Sequence, residues 1–449
     1  MIKQHIEIEN FTNASVLIEC SDEKIIIDPW FTDGKYLGTW HNFPRVSETY
    51  LYERLANVKY CLITHLHKDH FDINAIKKYF SYDTIFLIPK VFGFQVIEGT
   101  LKKEGYLNTN VLECSNEVYN TDKFSIRTVP PLNVSGLEAH TDNQLSIDGG
   151  FVLVNKASKA KLVFLADDNL YSEERVKENY ELINSPDLIA FAYSGFATDY
   201  PFNFNFSLKE KIKITQHHEE NRFNTQLSNL KLIKPKCIMP YSSEFVPVGK
   251  HSKHWHNVLP HIWTSSKKEV TSRYSKALDT KGIYLYLGDK LLIDGERNIS
   301  ADKISTDDKF LSQLRNYYEK ESKIDHYKNE NENIIPVSRI KSLLKKASSN
   351  YLKSLKKYKL HPLQTIIIKS DNNIIGSIDK NGTFEEVSAD NNINGNTLLI
   401  EVPSYILERL LTAQEHWDDA ALSLRLNYER SPNIFCSDTL QAVNYLNVR

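Results

Sequence analysis

The chain has 449 residues, 41% hydrophobic and 25% charged, with 55 basic against 57 acidic side chains and a formal net charge of -2. That length exceeds one ordinary core and predicts two domains, while the balanced charge excludes a polyanion-binding role declared by bulk electrostatics. Five scattered cysteines, Cys20, Cys61, Cys114, Cys237 and Cys436, form no C-x-x-C or C-x-H pattern, so neither a disulfide framework nor a cysteine metal site is expected.

The first residues, MIKQHIEIEN, lack an apolar leader core, and no apolar run reaches membrane-spanning length, so the expectation is a soluble cytoplasmic protein with no membrane span. Short runs rich in Val, Ile and Tyr then follow one another: SVLIEC and EKIIIDP, joined by Ser21 and Asp22, and VKYCLIT, each stopped by polar or turn residues. DTIFLIPK, KFSIRTVP, GFVLVN, KLVFLAD, DLIAFAYSG and KCIMPY read as further strands. GIYLYL and KLLIDG read as a pair turning at Gly288 and Asp289. A long polar helix is predicted from Ser207 to Leu232. Strands with intervening helices predict a layered α/β domain over residues 1–300.

Beyond residue 300 the composition shifts to Lys, Asn, Ser and Glu, and a helical connection is expected over 301–360, broken at Pro336. TIIIKS, NIIGSID and NTLLIEVP then read as strands and SYILERLLTAQEHWDDAALSLRL as one or two helices, giving a small α+β domain over 361–449. The lysines of KSLLKKASSNYLKSLKKYK read as a solvated helix face, and nucleic acid ranks last among the partners considered.

The most informative stretch is THLHKDHFD, Thr64 to Asp72, at the mouth of the strand VKYCLIT. His65 and His67 are two residues apart, and that spacing on an extended backbone points both imidazoles to one side, where they could share an ion. Asp69 and His70 then offer ligands to a second ion a few ångströms away. Imidazole with carboxylate suits zinc, iron or manganese. The loop AYSGFATDYPFNF mixes small polar and aromatic residues as a substrate-facing loop would, with Tyr193, Ser194 and Tyr200 as the candidates. Phe31 to Ser47 adds Lys35 and Arg45 as candidate phosphate contacts.

IIIDPWF together with THLHKDHFD resembles the metallo-β-lactamase superfamily, whose αββα sandwich holds one or two metal ions at its edge. The resemblance implies His140, in GLEAHTDN, as the third ligand beside His65 and His67, and Asp167, ending KLVFLAD, as the acid bridging to the Asp69 and His70 site, with Asp168 as its less favoured neighbour. Asp69 is the expected catalytic residue. Asp28 is implied as the partner of a metal-bound histidine. The late histidine usual in the superfamily is replaced by Ser242, and His251 or His254 is left to fold back in its place.

A narrower resemblance, resting on the same two motifs and on AYSGFATDYPFNF, LKLIKPKCIMPYSSEFV and HWDDAALSLRLNYERSPNIF, is to the catalytic domain of the CMP-N-acetylneuraminate hydroxylase family. That family also lacks the late histidine. It implies an iron-dependent oxygenase acting on a polar small molecule such as a nucleotide-linked sugar, and a sterol-carrier-like fold for the C-terminal α+β domain. Its Rieske domain needs C-x-H and C-x-x-H pairs, and none occurs here. No Rieske cluster is therefore expected in this chain, and electrons would come from a separate ferredoxin or reductase or from the substrate itself. Two alternatives stand beside the oxygenase: a zinc-type dinuclear hydrolase of a phosphodiester, lactone or amide, and a metal-stabilised binding or sensing module.

Overall fold

Alternating side chains decide how the first strands lie. In Ser15–Cys20 and Glu23–Ile27, Val16, Ile18, Ile25 and Ile27 join one core while Leu17 and Ile26 join another on the opposite face. A strand apolar on both faces must be covered on both. The computed structural model, which describes residues 5–133, 147–168, 170–193, 200–303, 310–322, 324, 327, 335–387 and 395–448, covers them with a second sheet on one side and helices on the other.

The first sheet has eight strands in the spatial order Ile299–Asp302, Lys290–Ile293, Ile6–Thr12, Ser15–Cys20, Glu23–Ile27, Tyr60–Leu62, Ile85–Pro89 and Thr109–Leu112. The second has seven: Lys281–Gly282, Cys237–Tyr241, Leu188–Ala192, Lys161–Phe164, Gly150–Asn155, Phe124–Val129 and Tyr119–Asn120. Ile8, Val16, Ile27, Leu62 and Leu87 of the first meet Phe124, Phe151, Leu162, Phe164 and Met239 of the second in one dry core. Glu48–Leu55, Ile73–Tyr79 and Phe94–Lys103 cover the first sheet's outer face through Leu51, Ile76 and Ile97. Leu208–Ile233 and Lys267–Leu278 cover the second through Phe223, Leu230, Val270 and Tyr274. The layers run helix, sheet, sheet, helix.

Glu23–Ile27, Tyr60–Leu62 and Ile85–Pro89 are parallel neighbours, as are Lys161–Phe164, Leu188–Ala192 and Cys237–Tyr241. The loops leaving their C-terminal ends carry Asp28, the run from Thr64 to Asp72, Asp167 and Ser242. That edge is where the two sheets bring the ionisable residues together.

Leu208–Ile233 follows the expected helix closely, opened by a reciprocal capping box between Ser207 and Glu210. GIYLYL departs from expectation: only Lys281–Gly282 is strand, and no hairpin forms with Lys290–Ile293, which pairs instead with Ile6–Thr12 and Ile299–Asp302. Side chains take the backbone groups a ladder would have used. Lys267 Nζ donates to the Leu285 carbonyl at 2.9 Å, and Asp289 Oδ2 accepts from the Tyr286 amide at 3.1 Å.

A separate five-stranded sheet, Phe384–Glu385, Asn373–Ile378, Thr365–Ser370, Thr397–Glu401 and Asn427–Ser431, packs with Val337–Tyr358, Ser404–Leu411, Trp417–Leu422 and Ser437–Val443 around Ile366, Ile368, Ile400, Leu407 and Trp417. Val337–Tyr358 buries Ile340, Leu343, Leu344, Ala347 and Tyr351 at helical spacing and leaves Lys345, Lys346, Lys353, Lys356 and Lys357 in solvent. An aromatic cluster ties this unit to the sandwich: Trp40 stacks on Phe245 at 3.8 Å and its indole donates to the Leu422 carbonyl at 2.9 Å. No helix among the described residues is long and apolar enough to cross a membrane.

Candidate metal centre

Asp28, fully buried at the end of Glu23–Ile27, organises the loop that follows Tyr60–Leu62. Its carboxylate accepts from the Thr64 amide at 2.8 Å, from the Thr64 hydroxyl at 2.6 Å, and from His70 Nδ1 at 2.8 Å. The loop then turns tightly, the His70 and Phe71 amides both bonding to the His67 carbonyl, and Asp72 caps the helix Ile73–Tyr79. These bonds fix His65, His67, Asp69 and His70 on one rim.

Two groups of ligand atoms result. Those of His65, His67 and Asp167 all lie within 4.8 Å of one another, as do those of Asp69, His70 and Asp167. Within the first, His65 Nε2 is 2.9 Å from His67 Nδ1 and 3.8 Å from Asp167 Oδ2. Within the second, His70 Nε2 is 3.1 Å from Asp167 Oδ2 and 3.4 Å from Asp69 Oδ2. Asp167 stands between the two groups. The cluster is buried on the His65 and His70 side, while Asp148 and Asp167 keep 22% and 33% side-chain exposure, which leaves an ion a way in.

The residues fit a metal. Imidazole and carboxylate are the donors that zinc, iron and manganese accept. His70 Nε2 is buried without an aligned hydrogen bond even though two carboxylates lie near it, as befits a lone pair directed at a cation. The electrostatics agree. Burial opposes charge on His70, but Asp167, Asp69 and Asp28 outweigh it and hold its pKa well above the ordinary value. Burial likewise opposes charge on His67, yet Asp418 raises it to about 9. Asp148 is pushed up to about 6 by burial and by Asp167. The carboxylates therefore call for positive charge, which protons or metal ions can supply.

Backbone strain gathers at the same place. Asn13, Asp28, Tyr36, Ala166 and Ser242 all adopt positive φ, between 43° and 57°, a cost that surrounding contacts sustain where side chains must be aimed. Each of these residues has a partner here. The Tyr36 hydroxyl donates to Asp69 Oδ1, Asn13 Nδ2 donates to Asp69 Oδ2 at 3.0 Å, and Ser242 Oγ donates to Asp167 Oδ1 at 2.6 Å. The Ala166 amide donates to the Tyr241 hydroxyl at 2.7 Å.

The remaining expected residues lie as follows. His251 does not fold back: its Nε2 meets Thr39 Oγ1 at 2.8 Å, and it belongs to neither ligand group. It lies in the 3-10 turn Lys250–Ser252, and Ser242 itself reaches Asp167. Lys35 pairs with buried Asp72 at 2.6 Å, and Arg45 with Asp33 and the Tyr317 hydroxyl. Tyr193 is buried with its hydroxyl 3.4 Å from Glu244 Oε1. Tyr200 stacks on His218 and packs with Phe204 and Phe206, on the side facing the five-stranded unit. Asp168 turns away from the ligand groups and accepts from the Leu132, Asn133 and Leu170 amides. His140 and Ser194 lie outside the described residues.

Four site residues were missed: Asn13, Tyr36, Asp148 and Asp418, whose Oδ2 lies 3.3 Å from His67 Nε2. The adjacent acids of HWDD were a visible signal for Asp418; nothing local marked the other three.

Residues 7–195 match the beta-lactamase superfamily domain. That segment, and not the chain as a whole, carries the metallo-β-lactamase fold. Among curated proteins the chain is similar to a "Putative Rieske 2Fe-2S iron-sulfur protein" of Mycolicibacterium smegmatis, 30% identical over 116 residues, covering 26% of this chain and 21% of that protein. A protein of the same description from Mycobacterium tuberculosis is 29% identical over 101 residues, covering 22% and 19%. The chain thus spans about a fifth of the length of these relatives. Among solved structures it is similar to CmlA, a diiron beta-hydroxylase from Streptomyces venezuelae, at 16% identity, covering 66% of this chain and 55% of that one, with a TM-score of 0.43. It is also similar to Igni18, a metallo hydrolase from Ignicoccus hospitalis, at 13% identity, covering 67% and 100%, with a TM-score of 0.40.

Proposed function

We propose that this chain is an iron-dependent oxygenase that hydroxylates a polar small molecule such as a nucleotide-linked sugar. Two electrons would come from a separate ferredoxin or reductase. The carrying observation is the pair of histidine and aspartate ligand groups that share Asp167. The balance is one substrate C–H, one dioxygen, two electrons and two protons in, and one hydroxylated product and one water out. The Rieske 2Fe-2S description of the curated relatives supports a redox reading.

Iron held by imidazole and carboxylate would supply dioxygen chemistry. His65 and His67 would hold one ion and Asp69 and His70 the other, with Asp167 belonging to both groups. The other residues orient. Asp28 fixes the His70 ring through Nδ1, Tyr36 and Asn13 fix the two Asp69 oxygens, and Ser242 fixes Asp167.

Elemental analysis of anaerobically purified protein, repeated for His65→Ala and Asp69→Ala, combined with dioxygen uptake under a supplied reductant, tests this. Iron lost in both variants and uptake in the parent are expected. Zinc content without dioxygen uptake, with turnover of a phosphodiester, lactone or amide, overturns the oxygenase in favour of the hydrolase.

A further inference from the structure

We infer that Asp418, from the C-terminal α+β unit, is a positioning residue for His67, so that the metal centre is completed across the boundary between the sandwich and that unit. The inference rests on the reading of His65 and His67 as metal ligands.

His67 has two ring nitrogens with different outlooks. Nδ1 faces His65 Nε2 at 2.9 Å, inside the ligand group, whereas Nε2 points outward and lies 3.3 Å from Asp418 Oδ2. A carboxylate at Nε2 fixes the proton there, which leaves the Nδ1 lone pair for an ion and sets the ring plane. Asp28 does for His70 what Asp418 does for His67, at 2.8 Å. The difference is origin: Asp28 ends a strand of the sandwich, while Asp418 lies 351 residues beyond His67 on the first turn of Trp417–Leu422.

That helix is not loosely placed. Three donors of the sandwich take the carbonyls at its C-terminal end: Asn203 Nδ2 to Ala421 at 2.8 Å, Trp40 Nε1 to Leu422 at 2.9 Å, and Thr39 Oγ1 to Ser423 at 3.0 Å. At its other end Lys68, next to His67, lies 2.8 Å from Asp419 and 3.8 Å from Glu415. The ligand loop and the helix therefore meet at two successive residues, and the donors beyond fix the helix along its length. A carboxylate carried on so rigid a support aims a ring; one on a free loop does not. By linkage, ion binding at His67 and seating of the helix favour one another.

The test compares wild type, D418A, D418N and D419A by Co2+ titration, read in the ligand-field absorption band, and by Zn2+ competition with a chromophoric chelator. D418A is expected to bind 10–100-fold more weakly and to shift the band. D418N, whose Oδ1 still accepts from Nε2–H, recovers most of the affinity, and D419A, which touches Lys68 and not His67, matches wild type. An affinity for D418A within twofold of wild type, with the same band, overturns the inference. A fall in D419A equal to that in D418A also overturns it, because a general loosening of the contact would then explain both. Hydrogen exchange on unaltered protein needs no variant: Zn2+ should slow exchange across residues 417–423, and equal rates with and without Zn2+ count against the inference. If H65A binds Co2+ as wild type does, it is the ligand reading itself that has failed, an outcome distinct from the others.

Discussion

Asp28→Ala is the most demanding single test of the centre's construction. The carboxylate is fully buried and accepts three hydrogen bonds, from the Thr64 amide, the Thr64 hydroxyl and His70 Nδ1. Removing it strands all three donors where water does not reach. The three do not add independently, since the loop relaxes as one piece, so the expected loss is that of breaking one side of a buried polar pair, roughly 3–5 kcal/mol. Asp28→Asn keeps one carbonyl oxygen and should lose less, roughly 1–3 kcal/mol, for the donor it can no longer satisfy. Because His70 also loses its orienting partner, metal affinity should fall ~10–100-fold in Asp28→Ala. Urea denaturation of chelator-treated protein measures the first effect and Zn2+ competition the second. If Asp28→Ala unfolds within ~0.5 kcal/mol of wild type, the scatter of ordinary surface substitutions, and holds metal equally well, then Asp28 neither builds the loop nor aims His70.

Ser242→Ala removes the 2.6 Å bond to Asp167 Oδ1 and should lower metal affinity by up to ~10-fold, with Ser242→Thr retaining it; unchanged competition curves would mean Asp167 is aimed by something else. Trp40→Ala deletes a ring stacked on Phe245 and bonded to the Leu422 carbonyl, and should cost roughly 3–5 kcal/mol in denaturant unfolding; a loss under ~1 kcal/mol would contradict its place between the two units. Glu219, on Leu208–Ile233, is buried with both carboxylate oxygens unbonded, and burial pushes its pKa up to about 8. The folded chain keeps this proton where the unfolded chain releases it near 4.5, so the stabilisation is full below pH 4.5 and is lost as pH climbs towards 8. Glu219→Gln should therefore unfold at higher denaturant at pH 7, by roughly 2–4 kcal/mol, and flatten the decline between pH 4.5 and 8. Parallel pH curves for the two proteins would defeat that assignment.

Much of the fold could be read locally. The alternation in SVLIEC and EKIII and the capping box at Ser207 are short-range signals, and the strands and helix formed where expected. GIYLYL had the same signal and formed no hairpin with KLLIDG: its first residues pair with Ile238 of the second sheet, while Lys267, distant in sequence, and the neighbouring Asp289 bond to its Leu285 carbonyl and Tyr286 amide. Likewise His251 had the right chemistry and a plausible chain length, but Thr39 claims it.

The sequence by itself determined which donors exist and how those of one loop are spaced: His65 and His67 two apart, Asp69 and His70 adjacent. Spacing along an extended or turning backbone is a matter of a few bonds, so it needs no tertiary knowledge. Only the packed sheets decided that Asp167 stands between the two groups, that Ser242 and Tyr36 aim the carboxylates, and that Asp418 reaches His67 from the far end of the chain. Those meetings depend on how one core seats the second sheet and the C-terminal unit against the first, and no periodicity within a segment records that distance.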